Sequence, residues 1–363
     1  MPDINNVSKP FFKTYSLADT NEKDLSFSVV NTDSGNYILG VTDDGYLYLL
    51  KTDLSGNLLW KKKVVPEKGY SLEYGDLQKI GNDFIILIGR DSVVDDIYNS
   101  TINLIKVNAD GDVVWNKTYN MDNYETDQSL AVTSDNGFLI VGNVDAGPTK
   151  NIILLKVDST GKKVWKKTIP YTGSLTINKI KKIDNGFVLV GFIFNSNRNV
   201  YLAKINSNGT QDWNKVYSNL KLSNGLDVVQ TTDGFAVVGN AGDDILLLKT
   251  DNTGNMVWYK TYSPEKYNYG AAITKAKDNG YLLGSSITND MVDNSARNNN
   301  LYFIKVDSQG NKIWDKSING SSTSFISQIL TTDNGFLAVG YMYLNDISDF
   351  SKIILLNFKD DVN

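Results

Sequence analysis

Residues 135–167 read DNGFLIVGNVDAGPTKNIILLKVDSTGKKVWKK. Two apolar runs, 138–141 and 152–155, have the length of short strands and show no helical period. Asp135, Asn136 and Gly137 precede the first run; these residue types tolerate the positive φ of a tight hairpin. After the second run, Asp158 and Gly161 frame another turn, followed by a segment carrying Trp165 and Lys167. Upstream, 129–132 (SLAV) supplies a fourth run. The stretch therefore reads as four short strands, A to D, joined by an A–B hairpin, a variable B–C loop and a C–D hairpin.

The pattern recurs along the chain. All six tryptophans stand in G-x-x-x-W-x-K, as Trp60, Trp115, Trp165, Trp213, Trp258 and Trp314, between 45 and 56 residues apart. The D-N-G signature returns at 184–191, 233–239, 278–284 and 333–340, with looser copies at 33–40 and 82–89, making seven with 135–142. Four strands in about 40–50 residues is the period of a β-propeller blade. The last unit has strands A to C (326–330, 336–339, 353–358) but lacks G-x-x-x-W-x-K. The missing strand stands at the other end: Phe11-Phe12-Lys13-Thr14-Tyr15 matches Trp115-Asn116-Lys117-Thr118-Tyr119, with Phe11 in the tryptophan's place. The sequence thus predicts an all-β, seven-bladed β-propeller of four-stranded antiparallel blades. It is closed by the N-terminal strand pairing in blade 7, which removes a free sheet edge. Residues 1–363 read as one domain, with blades at 24–64, 74–119, 128–169, 176–217, 225–262, 270–318 and 325–359 plus 11–15.

Composition removes several chemistries. The 363 residues contain no His and no Cys, which excludes His-based triads, His- or thiolate-bound metals and Cys nucleophiles. The 36 Lys and Arg against 41 Asp and Glu give a net charge of −5, which argues against nucleic acid as a partner. No apolar run of about 18 residues spans a membrane. A cysteine-free chain suits an oxidising compartment as well as a reducing one.

A residue repeated in every blade is first a packing device. The six tryptophans, and Phe11, read as wedges between blades, with the Lys two positions later covering the ring. The strand C lysines (Lys51, Lys106, Lys156, Lys204, Lys249, Lys305) are given the same role, their ammonium reaching water. The Asp or Asn two residues beyond each is expected to bond its own turn's backbone.

These units resemble the DGGF…VG…LIKLD-x-x-G-x-x-x-W-x-K-x-Y repeats of bacterial and archaeal cell-surface propeller proteins, from Phe11 to about Phe358. The resemblance implies extracellular or cell-surface binding or display; the residues themselves leave a cytoplasmic location open. The D-x-x-G-x-x-x-W segment is also similar to the tryptophan-docking repeat of pyrroloquinoline-quinone propellers. That repeat is one residue longer, and its enzymes have eight blades, so no quinone is expected.

Function is expected on the end of the blades that carries B–C loops and D–A connections, where all the length variation lies. The chain's three arginines, Arg90, Arg198 and Arg297, fall in B–C segments. They suit an anionic ligand, since guanidinium grips carboxylate or sulfate bidentately. Tyr70, Tyr269 and Tyr343 suit stacking on a neutral glycan. Asp95, Asp96, Asp290, Asp293, Asp346 and Asp349, in the longest loops, are the acids a calcium ion would use, although no EF-hand spacing is present. The expectation is a monomeric, non-catalytic recognition, adhesion or scaffold module with a glycan or protein partner and no cofactor. The alternatives are a glycan-active enzyme, for which no motif marks a carboxylate pair, and a structural module of a larger assembly.

Overall fold

A computed structural model describes residues 10–17, 23–67, 69–94, 97–120, 125–145, 150–169, 171, 174–265, 267–288, 291–292, 295–296, 299–318, 323–343 and 350–360. Among these there is no helix. The fold is the expected seven-bladed β-propeller, each blade a four-stranded antiparallel sheet in the order A–B–C–D. The chain divides into two compact units, residues 69–271 and residues 1–68 with 272–363.

The larger unit holds four blades' strands. Blade 2 is Tyr70–Ile80, Asp83–Val94, Ile97–Val107 and Val113–Tyr119. Blade 3 is Glu125–Val132, Phe138–Asp145, Lys150–Val157 and Lys163–Ile169. Blade 4 is Ser174–Ile183, Gly186–Phe194, Arg198–Ile205 and Gln211–Tyr217. Blade 5 is Ser223–Thr231, Gly234–Ala241, Asp244–Asp251 and Met256–Tyr262. Strands B and C are Val-, Ile- and Leu-rich and largely buried, and where two blades of this unit meet, the facing side chains form a shared core. One core thus joins Val188, Val190, Val200 and Leu202 of blade 4 to Val228, Phe235, Val237, Leu246 and Leu248 of blade 5.

In blades 2, 3 and 4 the last strand fastens the blade to the next blade's C–D turn. A Cβ built on Gly209 (φ +79°) would lie 2.5 Å from the Trp165 ring, and Trp115 and Trp213 press likewise on Gly161 and Gly254. The Lys167 ammonium lies 5.1 Å from the Trp165 ring centroid and donates to the Asn208 carbonyl at 2.7 Å. Tyr217 Oη donates to the Gly254 carbonyl at 2.7 Å, and burial raises its pKa. Tyr119 Oη bonds the Gly161 carbonyl and is pushed up to about 12 by burial and by Asp158. The turn itself is held from within, as expected: Asp158 Oδ1 accepts the Thr160 and Lys162 amides, both at 2.9 Å.

The second glycine of the signature in blades 4, 5 and 7 has a different cause. Strand A carries a bulge, between Ile177 and Lys179 in blade 4 and between Gly225 and Asp227 in blade 5. The bulge drives a strand A carbonyl against strand B, so that a Cβ on Gly191 would stand 1.9 Å from the Thr176 oxygen. The preceding blade caps an amide beside the bulge: Ser129 Oγ accepts from Ile180 N at 3.3 Å.

In the smaller unit, blade 1 is Asp24–Thr32, Gly35–Thr42, Leu47–Thr52 and Leu58–Lys63. Blade 6 is Tyr267–Lys275, Tyr281–Thr288, Asn300–Val306 and Lys312–Ile318, the unit boundary falling within its first strand. Blade 7 is Ser324–Thr332, Gly335–Tyr343 and Ser351–Phe358, completed by Phe11–Tyr15. The register runs from Phe11↔Asn357 to Tyr15↔Ile353. Phe11 performs the tryptophan's task on Gly56, and Tyr15 Oη donates to the Gly56 carbonyl at 2.7 Å. Blades 7 and 1 are also joined by Gln328 Oε1, which accepts Ser28 Oγ and Val29 N, both at 2.8 Å.

Three of the strand C lysines differ from expectation. In blades 3 and 5 the ammonium does not reach water but pairs with the A–B turn aspartate of its own blade, Lys156 with Asp135 at 2.9 Å and Lys249 with Asp233 at 2.8 Å. Lys305 pairs with Asp278 in the same way, its side chain 1% exposed. Strand C is interior to the sheet, so the end of the long side chain finds the turn rather than solvent. The Thr133 hydroxyl, then Lys156 and the Gly137 amide, hold Asp135 down to about 2 against a smaller desolvation penalty. Lys249 and Thr231 lower Asp233. At Asp278 burial opposes ionisation, and the bonds from Lys305 and Gly280 N outweigh it. These folded-state values lie below the unfolded one, so the stabilisation is complete above about pH 4 and is lost as pH falls toward about 2. The melting temperature is expected to drop over that window. The triple variant Asp135→Asn, Asp233→Asn, Asp278→Asn should flatten the drop while melting lower at neutral pH, and an unchanged acid limb would refute the assignment.

Candidate functional site at the B–C and D–A end

In the larger unit, blade 4 extends strand B past Gly191 through Phe192, Ile193 and Phe194, turns at 195–197, and starts strand C at Arg198. The register pairs Phe194 with Arg198 and Phe192 with Val200. Val200 belongs to the core shared with blade 5, so strand alternation places Phe192, Phe194 and Arg198 on the side facing blade 5. The Arg198 guanidinium carbon lies 5.0 Å from the Phe192 ring centroid, and Phe194 is 51% exposed.

Blade 5 turns early. Ala241 pairs with Asp244, leaving only Gly242 and Asp243 at the tip. Gly242 N donates to the Leu222 carbonyl at 3.1 Å, and Leu222 in the D–A connection is 61% exposed. The other side of this tip is stapled to 265–270. Asn268, fully buried, gives its side-chain amide to the Asp243 and Glu265 carbonyls, both at 2.8 Å. Gly270 N donates to Asn240 Oδ1 at 2.7 Å. The Tyr269 hydroxyl is raised by burial, then by Asp243 and Tyr267, so these three groups share one neighbourhood.

In the smaller unit, Phe325 and Tyr341 pack with centroids 5.2 Å apart, Tyr341 meets Tyr343 edge-on at 6.1 Å, and the Lys23 ammonium lies 5.7 Å from the Tyr343 centroid. Burial and Tyr343 push Tyr341 up to about 12. In blade 1, the Lys63 ammonium sits 3.3 Å from the Tyr46 centroid. A shallow cleft in this unit, lined by Lys277, Asp333, Phe336, Lys359 and Asp360 among others, lies at the opposite, A–B turn end.

Of the sequence candidates, Tyr70 and Arg90 are cross-strand partners in blade 2, their side chains outside the described residues. Arg198, Tyr269 and Tyr343 stand as above. Arg297 lies outside the described residues, as do all six calcium candidates, Asp95, Asp96, Asp290, Asp293, Asp346 and Asp349. Among the described residues, no three His, Cys, Asp or Glu side chains are grouped to hold a metal. Sequence reasoning passed over Leu222, Phe325, Lys23 and Lys63. Leu222 had one available signal, an apolar residue, like Leu220, inside the short D–A connection 218–222, SNLKL.

No protein-family profile matches the chain, and no curated protein does. Solved structures match the fold. The WD40 domain of Neurospora crassa Pan2 aligns over 92% of this chain and 90% of its own, at 10% identity and a TM-score of 0.58. Cobalt-substituted Synechocystis ACO, an apocarotenoid oxygenase, aligns over 80% and 71%, at 12% identity and a TM-score of 0.50. The chain is similar to propeller folds, including WD40, and the likeness extends to the fold alone.

Proposed function

We propose that this protein is a non-catalytic recognition module of a surface or secreted protein, taking a glycan or protein ligand at the B–C and D–A end of its blades. The propeller fold is compatible with a binding or scaffold role. One observation carries the reading: the two ends of the blades differ in kind. At the A–B and C–D end the C–D turn recurs in one form, its Asp engaged within the turn, as Asp158 and Asp251 are with the amides two and four residues on. At the other end, among the described residues, the blade 4 and blade 5 hairpins differ in length and turn, and Phe194, Leu222 and Arg198 are turned to solvent. Exposed aromatic and Arg side chains on a rigid scaffold are what interfaces use.

The test replaces Arg90, Arg198 and Arg297 by Ala as one set, and Tyr70, Tyr269 and Tyr343 as another. Each set is compared with the parent on a glycan array and against cell extracts. Loss of at least tenfold in apparent affinity with one set is expected. Binding that survives both sets and disappears on altering the D-x-x-G turns would place the ligand at the other end.

A further inference from the structure

The step between blades 4 and 5 is where that reading sharpens. Resting on it, we propose that this step docks an extended protein segment whose apolar anchor side chain is flanked by a carboxylate on one side and a cation on the other. Blade 4 pairs through Phe194, three residues past its strand B glycine, and closes with a three-residue turn; blade 5 pairs only through Ala241, two past Gly239, and closes with two. The blade 4 hairpin therefore overhangs its neighbour by at least one residue of strand, about 3.3 Å, plus the taller turn. The overhanging side is the one that carries Phe192, Phe194 and Arg198. Lower down this face is filled by the blade 4–blade 5 core; here no blade 5 strand rises to cover it.

Leu222 forms the floor. Its carbonyl is bound by Gly242 N, and its neighbour Ser223 accepts Val200 N at 3.3 Å, so it lies between the blade 5 tip and the blade 4 wall. Beyond it stand exposed Asp243 and the Tyr269 and Tyr267 rings. An apolar wall and floor thus lie between a cation, Arg198, and an anion, Asp243. The chemistry favours protein over glycan. Sugars stack on aromatic faces but gain little from an aliphatic floor such as Leu222. Exposed Phe with an Arg already stacked on a ring is a composition enriched at protein interfaces, and the guanidinium's stacking lowers the ordering cost of gripping a carboxylate. The opposite charges at the two sides set the direction in which the segment lies.

The probe is an array of synthetic peptides with Leu, Phe or Trp at the centre and Glu and Lys on either side, in both orders, with neutral-flanked and Ala-centred controls. The parent protein is expected to prefer one charge order and to need the apolar centre. Phe194→Ala and Leu222→Asp should each weaken binding at least tenfold without moving the melting temperature, since both side chains are exposed. The double variant Arg198→Glu, Asp243→Lys should prefer the reversed order. No peptide binding by the parent, or equal binding by Leu222→Asp and by the charge-reversed variant, overturns the proposal. Glycan-array binding that ignores Leu222→Asp but is lost in Tyr343→Ala overturns it while leaving the broader reading intact. Binding lost only on altering the D-x-x-G turns overturns both.

Discussion

Removal of residues 1–16 is expected to lower the melting temperature by at least about 10 °C and to make the protein aggregate as its concentration rises. The strand Phe11–Tyr15 is the outermost strand of blade 7, and without it the strand Ser351–Phe358 becomes an open edge along its paired length. An edge of that kind, with Ile353, Ile354, Leu355 and Leu356 behind it, pairs readily with other chains. The loss extends beyond the ladder. Tyr15 is buried, Phe11 seals Gly56 of blade 1, and both pack on a core containing Val29, Ile38, Leu337 and Leu355. Exposing two large apolar side chains removes about 1.5–3 kcal/mol each. With the ladder bonds, about 5 kcal/mol is at stake, a large part of the 5–15 kcal/mol typical of a folded protein. At about 2 °C per kcal/mol for a large domain, the shift follows. A synthetic peptide of residues 10–17 added in excess should restore part of the melting temperature, because it binds only the folded, open form. A truncated protein that melts like the full chain would show that the strand contributes nothing to closure.

The fold was legible because the sequence repeats its own instructions. Phe11 could be assigned to blade 7 from a five-residue match, since Trp115–Tyr119 supplied the template and the last unit lacked that strand. Local chemistry was less transparent where one residue of register decides. The same D-N-G closes blade 3 with a turn over residues 133–137, Asn136 at φ +57°, and closes blade 4 with Asp184 and Asn185 alone, Gly186 at φ +105°. Lys156, Lys249 and Lys305 were misread for a related reason, since only the assembled sheet shows Lys156 beside Asp135 rather than at solvent. The step between blades 4 and 5 was hidden more deeply. Arg198 stood out as a loop residue, but the face it shares with Phe192 and Phe194 follows from the pairing of Phe194 with Arg198, and their exposure follows from how short a different blade's hairpin is. Loops that repeat nowhere offer no internal copy to compare.

The contact of Trp165 with Gly209 should appear as a coupling between two destabilising substitutions. Trp165→Ala removes a ring that fills the place of the glycine's missing side chain and whose Lys167 neighbour grips the same turn. Truncating a buried Trp costs about 3–5 kcal/mol; this ring is half-buried, so about 3 kcal/mol is expected. Gly209→Ala has two costs. The backbone sits at φ +79°, which an L side chain adopts at about 1–2 kcal/mol. The new Cβ would also stand 2.5 Å from the Trp165 ring and force it outward. Only the second cost depends on the indole. In the Trp165→Ala background, Gly209→Ala should therefore retain its backbone cost and lose its steric one, a coupling of about 1–2 kcal/mol by denaturant titration. Gly81→Ala is the control for the backbone part alone, because Gly81 has φ +60° and nothing within 4 Å of a Cβ. It should destabilise by about 1 kcal/mol, the positive-φ penalty without the clash. If the two substitutions at Trp165 and Gly209 add without coupling, the ring does not fix the turn, and the repeated Gly-x-x-x-Trp spacing requires another explanation.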